Sequence, residues 1–388
     1  MNAATTPIIG HALRAQFLLD PDVTYLNHGS AGACPRPVFE AYQRWQLELE
    51  RQPIDFLGRR GPGLMREARV SLAAYLHTDP GNLIYVTNAT TGVNLVAHSL
   101  ALGPGDAVLT TDHEYGAVDR MWEFICRKTG AQYVRHPIPV PVASAEALVE
   151  SFWGAVTPRT RVISLSHVTS PTSLILPVAD ICRRARAAGI LTVIDGAHAP
   201  GQIPVDLDAL GADFYAGNCH KWMCAPKGSA FLFARPEHHH MVEPLIISWE
   251  WADESVFVRL NQAQGTRDIA AFLAVPAAID FMRAHDWESV RAACHALANE
   301  TLQRITGWYS LTPLSTSPAW FAQMVSIPLP AGDLKDIANR FYSEHRIEVP
   351  IFHWRGQNLM RVSVQGYNTR EDLDRLVDTV VRLMPREP

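Results

Sequence analysis

Across its 388 residues the chain has no uncharged apolar run approaching the roughly 18 residues that would signal a transmembrane helix. Neither charge sign forms a block: 34 Lys and Arg against 39 Asp and Glu leave a formal net charge of -5, which gives nucleic acid little to hold. Six cysteines (Cys34, Cys126, Cys182, Cys219, Cys224 and Cys294) lie apart with no CxxC pair, so neither a zinc site nor a disulfide framework is signalled. A reducing compartment fits that usage. The opening MNAATTPIIGHALRAQFLLDP lacks a basic segment followed by a long apolar stretch. There is no internal repeat, low-complexity tract or long linker. Together these absences lead to the expectation of a soluble cytoplasmic protein with no membrane or nucleic-acid partner.

At 47% hydrophobic residues, the chain can bury a large core, and its length suggests one large domain with a smaller one. From about residue 84, short β-branched runs alternate with helical patterns, the signature of a mostly parallel sheet covered by helices. The expected strands are 83–87, 107–111, 132–136, 161–167, 191–195, 213–217 and 230–233, and the clearest helices are 92–102, 116–128, 144–153 and 178–188. GTRDIAAFLAVPAAIDFM reads as a helix start followed by an amphipathic helix. A helix and strand mixture follows from about residue 287, with strands near 324–328 and 359–364. The expected fold class is therefore α/β, with a seven-stranded sheet in a large domain (26–262), a smaller α+β domain (263–388), and an N-terminal arm (1–25) packed on the latter.

LTVIDGAHAPGQIPVDL places Asp195 at the C-terminal end of an apolar strand, the edge of an open α/β sheet where ligands gather. After another short strand, FYAGNCHKWMCAPKG puts His220 and Lys221 in a loop. An aspartate ending a strand is often a turn or cap residue, and an isolated lysine is usually a solvated charge. As a pair they fill the two roles that pyridoxal 5′-phosphate (PLP) chemistry requires. One is an amine that forms an imine with the aldehyde; the other is an anion that keeps the pyridine nitrogen protonated.

Strand–Asp-x-x-His, then His-Lys, then Pro226-Lys227-Gly228 and a new apolar strand, resembles the class V aminotransferase family. YLNHGSAGACPRPV, FLGRR, TNATTGVN, TTDHEYGA, SHVTSPTSLILPV and GTRD narrow the resemblance to the isopenicillin N epimerase-like subgroup. The resemblance implies the PLP-dependent fold type I and a Schiff base on Lys221, with Asp195 on the ring nitrogen. It places Ala89, Thr90 and Thr91 just before a helix that binds the phosphate; a plain threonine cap is the simpler reading. It stacks Tyr115 on the cofactor ring, sets His198 near the phenolic oxygen and sends His220 to the phosphate, where the alternatives are a core tyrosine and satisfied structural histidines. Ser170 stands where desulfurases often carry an asparagine contacting the ring oxygen. Gly265 and Thr266 would reach the phosphate across a homodimer interface, or merely cap a helix. Arg361 in NLMRVSVQGYNT would hold the substrate carboxylate, and Asn27, His28 and Gly29 would line the substrate side. Arg59 and Arg60 read equally as readers of a distal carboxylate and as surface charges. The run Glu237-His238-His239-His240 lacks metal-ligand spacing and reads as solvated surface, so no metal is expected.

The shared machinery does not name the reaction. Residues 295–388 contain no cysteine, which counts against a persulfide-forming desulfurase of the usual kind; Cys34, Cys219 and Cys224 read as small buried residues. The expectation is an amino-acid-directed PLP enzyme, epimerase-like by resemblance. A C–S lyase, an aminotransferase and a non-catalytic binding protein are the alternatives.

Overall fold

The computed structural model describes residues 9–252 and 257–385, so residues 1–8 of the expected arm and 253–256 of the expected large domain lie outside it. The chain enters through a helical turn, His11–Arg14, and β1 (Thr24–Tyr25). It then forms a sheet of β2 (Leu83–Val86), β3 (Ala107–Thr111), β4 (Gln132–His136), β5 (Thr160–Ser166), β6 (Leu191–Asp195), β7 (Phe214–Asn218) and β8 (Ala230–Ala234). In space the order is β2-β8-β7-β6-β5-β3-β4. Only β8 is antiparallel to its neighbours, so the remaining six strands share one direction. All seven expected strands are present, each within a residue or two of its expected bounds. Central strands such as FYAGN and AFLFA are buried at every position, which is why they read as continuous apolar runs. The edge strand β4 exposes Gln132 and Arg135, polar residues that discourage further strand pairing.

One helix boundary differs in a way that matters for the site. The helix expected from residue 92 begins at Ala89, because Asn88 accepts the Thr91 N–H at 2.8 Å and caps it. Ala89, Thr90 and Thr91 are therefore its first turn rather than the residues before it. Gly92 is interior, and a Cβ there would come within 2.9 Å of Ala216, so the bare backbone lets the helix lie close on β7. The amphipathic stretch after GTRD is split into Ala270–Leu273 and Val275–Ala284, the second carrying its proline in the first turn, where proline lacks only a dispensable N–H. Both pieces pack on helices Arg36–Arg51 and Gly61–Tyr75.

The C-terminal part carries β9 (Met324–Leu329), β10 (Ile347–Glu348), β11 (Ile351–Trp354) and β12 (Gln357–Ser363), with β11, β12 and β9 forming an antiparallel sheet. Helix Trp287–Tyr309 packs on β9 and on the closing helix Arg370–Leu383. The N-terminal segment is bound to this part: β1 pairs in parallel with β10, and Gly10 donates to the Gly366 carbonyl at 2.7 Å. Phe17 packs against Tyr367 with ring centroids 4.9 Å apart.

The histidine run is not uniformly solvated. It forms a 3-10 turn, Pro236–Met241, in which His238 meets Asp213 at 3.1 Å and His239 stacks on Phe257 at 4.5 Å, leaving His240 exposed. Among the described residues no helix is long and apolar enough to cross a membrane, and no group of three His, Cys, Asp or Glu side chains is arranged for a metal.

Candidate active site

Asp195 ends β6 with Ser166 of β5 on one side and Ala216 of β7 on the other. It is 6% exposed, and its Oδ1 accepts the Ala197 N–H at 2.9 Å. Burial pushes its carboxyl above the usual range, opposed by that hydrogen bond and by the charge of Lys221. Lys221 follows β7 in the turn to β8, and its Nζ lies 3.2 Å from His198 Nε2. Burial pushes the amine down to about 8, Arg361 adds to the shift, and Asp195 opposes it. The Trp222 indole N–H makes a long contact of 3.4 Å to His198 Nδ1. An indole only donates, so Nδ1 is the acceptor there and Nε2 is left facing the Lys221 amine. Burial, Lys221 and Arg361 all disfavour a charged His198.

Arg361, on β12, is 7% exposed and points into the same region. One terminal nitrogen donates to both the carbonyl and the hydroxyl of Ser170 at 2.9 Å, and the other donates to Ser30 Oγ at 2.7 Å. Its Nε is buried without a partner, and no acidic side chain among the described residues pairs with it. Burial lowers it to about 10, still charged at neutral pH, with Tyr115 the opposing influence. A buried guanidinium held only by neutral groups is poised for an anion. Ser170, expected on the cofactor ring, thus has its hydroxyl committed to Arg361.

The loop 27–33 joins these elements. His28 is fully buried, with ring nitrogens 3.1 Å from the Tyr367 hydroxyl and 3.0 Å from the Lys221 carbonyl, so its contacts are to the protein. The Gly29 N–H donates to Ser363 Oγ at 3.2 Å. A Cβ on Gly32 would lie 2.5 Å from the Lys221 carbonyl oxygen, so only glycine allows this approach. Asn27 donates to Glu348 at 2.9 Å and leaves its Oδ1 buried without a partner.

At the start of helix Ala89–Ser99, Asn218 accepts the Ala89 N–H at 2.8 Å, and Asn88 accepts from Thr91. Thr90 keeps its hydroxyl free of partners among the described residues, at the positive end of the helix dipole. His220 is anchored to the Ser229 carbonyl at 2.9 Å. Tyr115 precedes helix Gly116–Thr129 and is 45% exposed. Gly265, with φ 80°, and Thr266 are both exposed, and no hydrogen bond among the described residues links them to the Lys221 cluster. Arg59 pairs with Asp55 at 3.3 Å and Arg60 with Glu48 at 2.7 Å, on their own surface.

The structure also supplies residues that the sequence reading did not single out. Ser30 lies inside NHGSAG and Glu114 inside TTDHEYGA, motifs already noted, but neither residue's partner is visible from its own segment. Buried Glu114 accepts from Ser166 N–H at 2.7 Å, Ser166 Oγ at 2.6 Å and Thr111 Oγ1 at 2.6 Å. All six cysteines are free, and burial raises every thiol; that of Cys34, the least buried, goes up to about 12. A thiol so protonated at neutral pH is a poor nucleophile.

The family pattern of the class V aminotransferases matches residues 24–376. The chain belongs to the class V aminotransferases. It is 38% identical to isopenicillin N epimerase of Amycolatopsis lactamdurans, over 95% of this chain and 97% of that protein. It is 32% identical to putative L-cysteine desulfhydrase 1 of Oryza sativa subsp. japonica, over 96% and 86%. Among solved structures, a lysine mutant of C-DES with glycine covalently linked to its PLP cofactor superposes with a TM-score of 0.81, covering 96% of this chain and 99% of that one at 22% identity. As a class V enzyme this chain is PLP-dependent, and the residues present fit the cofactor. They provide a buried amine at Lys221 whose pKa burial lowers to about 8, a buried carboxylate at Asp195, and a threonine hydroxyl at a helix N-terminus that has no partner among the described residues.

Proposed function

We propose that this class V enzyme exchanges the Cα proton of an amino acid, acting as an epimerase or racemase similar to isopenicillin N epimerase. The observation that carries the reading is the buried, acid-free guanidinium of Arg361 within electrostatic reach of the Lys221 amine. A carboxylate bound there brings the neighbouring Cα toward the Lys221 amine. PLP, when bound, supplies an aldehyde that joins amines and a ring that withdraws electrons from Cα.

The chain's own residues do the rest. Asp195 would accept a hydrogen bond from the protonated ring nitrogen, and Thr90 with the first turn of its helix would hold the phosphate. Lys221 takes the Cα proton from one face, and inversion requires a second acid to return a proton to the opposite face. His198, kept neutral by burial, orients the amine through its Nε2. Arg361, itself 7% exposed, would fix the carboxylate. Exposed Thr266 and Gly265 are proposed to complete the phosphate site of a second copy in a homodimer.

A second reading, a C–S lyase, has the desulfhydrase relative in its favour and needs no nucleophilic cysteine. Incubating the holoenzyme with L-amino acids and cysteine conjugates in D2O distinguishes the two. Deuterium at Cα with loss of optical purity supports epimerisation; release of sulfide with a keto acid supports the lyase. The absence of both deuterium at Cα and sulfide release, for every substrate, overturns both readings.

A further inference from the structure

Glu114 is a buried carboxyl for which the mechanism above has no use. It leaves the chain three residues after the end of β3 and turns back over the end of β5, where three hydrogen bonds from Ser166 and Thr111 close around its two oxygens. Ser166 is the β-partner of Asp195, so the two carboxyls stand at neighbouring strand ends of one sheet edge. Burial pushes Glu114 up to about 7; the hydrogen bonds from Ser166 and Thr111 oppose that, and the charge of Asp195 adds to it. The other titratable group interacting with it is Tyr133 on β4, whose hydroxyl donates to Asp119 at 2.5 Å. Beyond Asp195 lies Lys221. No cationic side chain among the described residues pairs with Glu114.

All three contacts donate to Glu114, so its surroundings are built for the ionised form. A site that only needed packing there would gain nothing from a second buried negative charge beside Asp195. A site that must hold a proton between Asp195 and a ring nitrogen gains directly, because an added anion raises the proton affinity of that pair. We propose that Glu114 is a positioning residue whose negative charge, acting through Asp195, keeps the nitrogen of the bound PLP ring protonated. This rests on the cofactor assignment and is independent of which reaction follows at Cα.

The test uses PLP labelled with 15N in its ring, reading the ring nitrogen's chemical shift against pH in the wild-type holoenzyme and in Glu114→Gln and Ser166→Ala. Glu114→Gln removes the charge; its ring nitrogen is expected to deprotonate about one to two pH units lower, the shift due to a unit charge several ångströms away at an effective dielectric of about 20. Ser166→Ala keeps the charge and the backbone N–H donor, so it is expected to move the titration by much less. Equal titration in folded wild type and Glu114→Gln overturns the proposal. So does an equal displacement by the two variants, which would mark a purely structural role. A second reading on the unmutated protein guards against misfolding of the variant. Difference infrared spectra with labelled glutamate are expected to show Glu114 as a carboxylate in the PLP-bound protein, and a protonated-carboxyl band there overturns the proposal. Failure of the wild type to bind PLP would instead overturn the cofactor assignment.

Discussion

Replacing Arg361 with methionine separates the stability of the site from its use. The guanidinium is 7% exposed and surrounded by Ser170 and Ser30 with no acid, so in the ligand-free protein it is a desolvated charge held by neutral acceptors. Such ions cost several kcal/mol to bury, and apolar replacements of similar volume are often neutral or stabilising, by about 1–4 kcal/mol. Arg361→Met is therefore expected to leave the thermal midpoint of the cofactor-free protein unchanged or raised, although two serine hydroxyls lose a donor. Activity should fall sharply. Two charge-assisted hydrogen bonds to a carboxylate, at about 1.5–3 kcal/mol each, correspond to a loss in kcat/KM of roughly 10²- to 10⁴-fold. The assay compares an amino-acid substrate with its decarboxylated amine, following formation of the coloured complex with each. Only the carboxylate-bearing ligand should be penalised. An equal loss for both ligands, or a marked destabilisation of the variant, would refute this account of Arg361.

Other expectations follow from the same geometry. The rate at which cofactor-free protein captures PLP should rise with pH around a midpoint near 8, where the Lys221 amine becomes neutral, rather than near the ordinary lysine value of 10.5. The corresponding stability effect has a definite sign. The folded pKa is depressed below the unfolded one, so the native state binds fewer protons, and the protein gains up to about 3 kcal/mol as pH rises from 8 to 10.5, a gain absent in Lys221→Met. Gly32→Ala should lower PLP affinity at least tenfold by equilibrium dialysis, since its Cβ would fall 2.5 Å from the Lys221 carbonyl oxygen and displace that turn. Cys34→Ala should keep kcat within about twofold of the wild type, because a thiol pushed up to about 12 carries no nucleophile at neutral pH; a larger loss would reopen persulfide chemistry.

The seven-stranded sheet was readable because its central strands are covered on both faces and must be apolar throughout. The positions of Lys221 and Asp195 were readable for a related reason: Asp195 is the last residue of β6, and Lys221 lies just beyond the end of β7. The start of the helix at Ala89 was not, because its signal is the single Asn88 side chain, outweighed by the apolar spacing further along. The roles of Ser30 and Glu114 depend on partners 331 and 52 residues away, and no local pattern encodes such a meeting. His28 shows the opposite case: its motif drew attention to it as a substrate contact, while its surroundings tie it to Tyr367 and the Lys221 backbone. Thr266 stands exposed, and its proposed role depends on a second copy of the chain.

The central claim is that Lys221 carries the cofactor and does so because burial lowers the pKa of its amine to about 8. The direct measurement is the visible absorption spectrum of purified protein and of Lys221→Ala after each is mixed with PLP, followed by borohydride reduction and peptide mapping. The account predicts a visible band in the wild type that the variant lacks, with the reduced cofactor found on the peptide containing Lys221. A band of equal intensity in the variant, or cofactor trapped on another lysine, would contradict it.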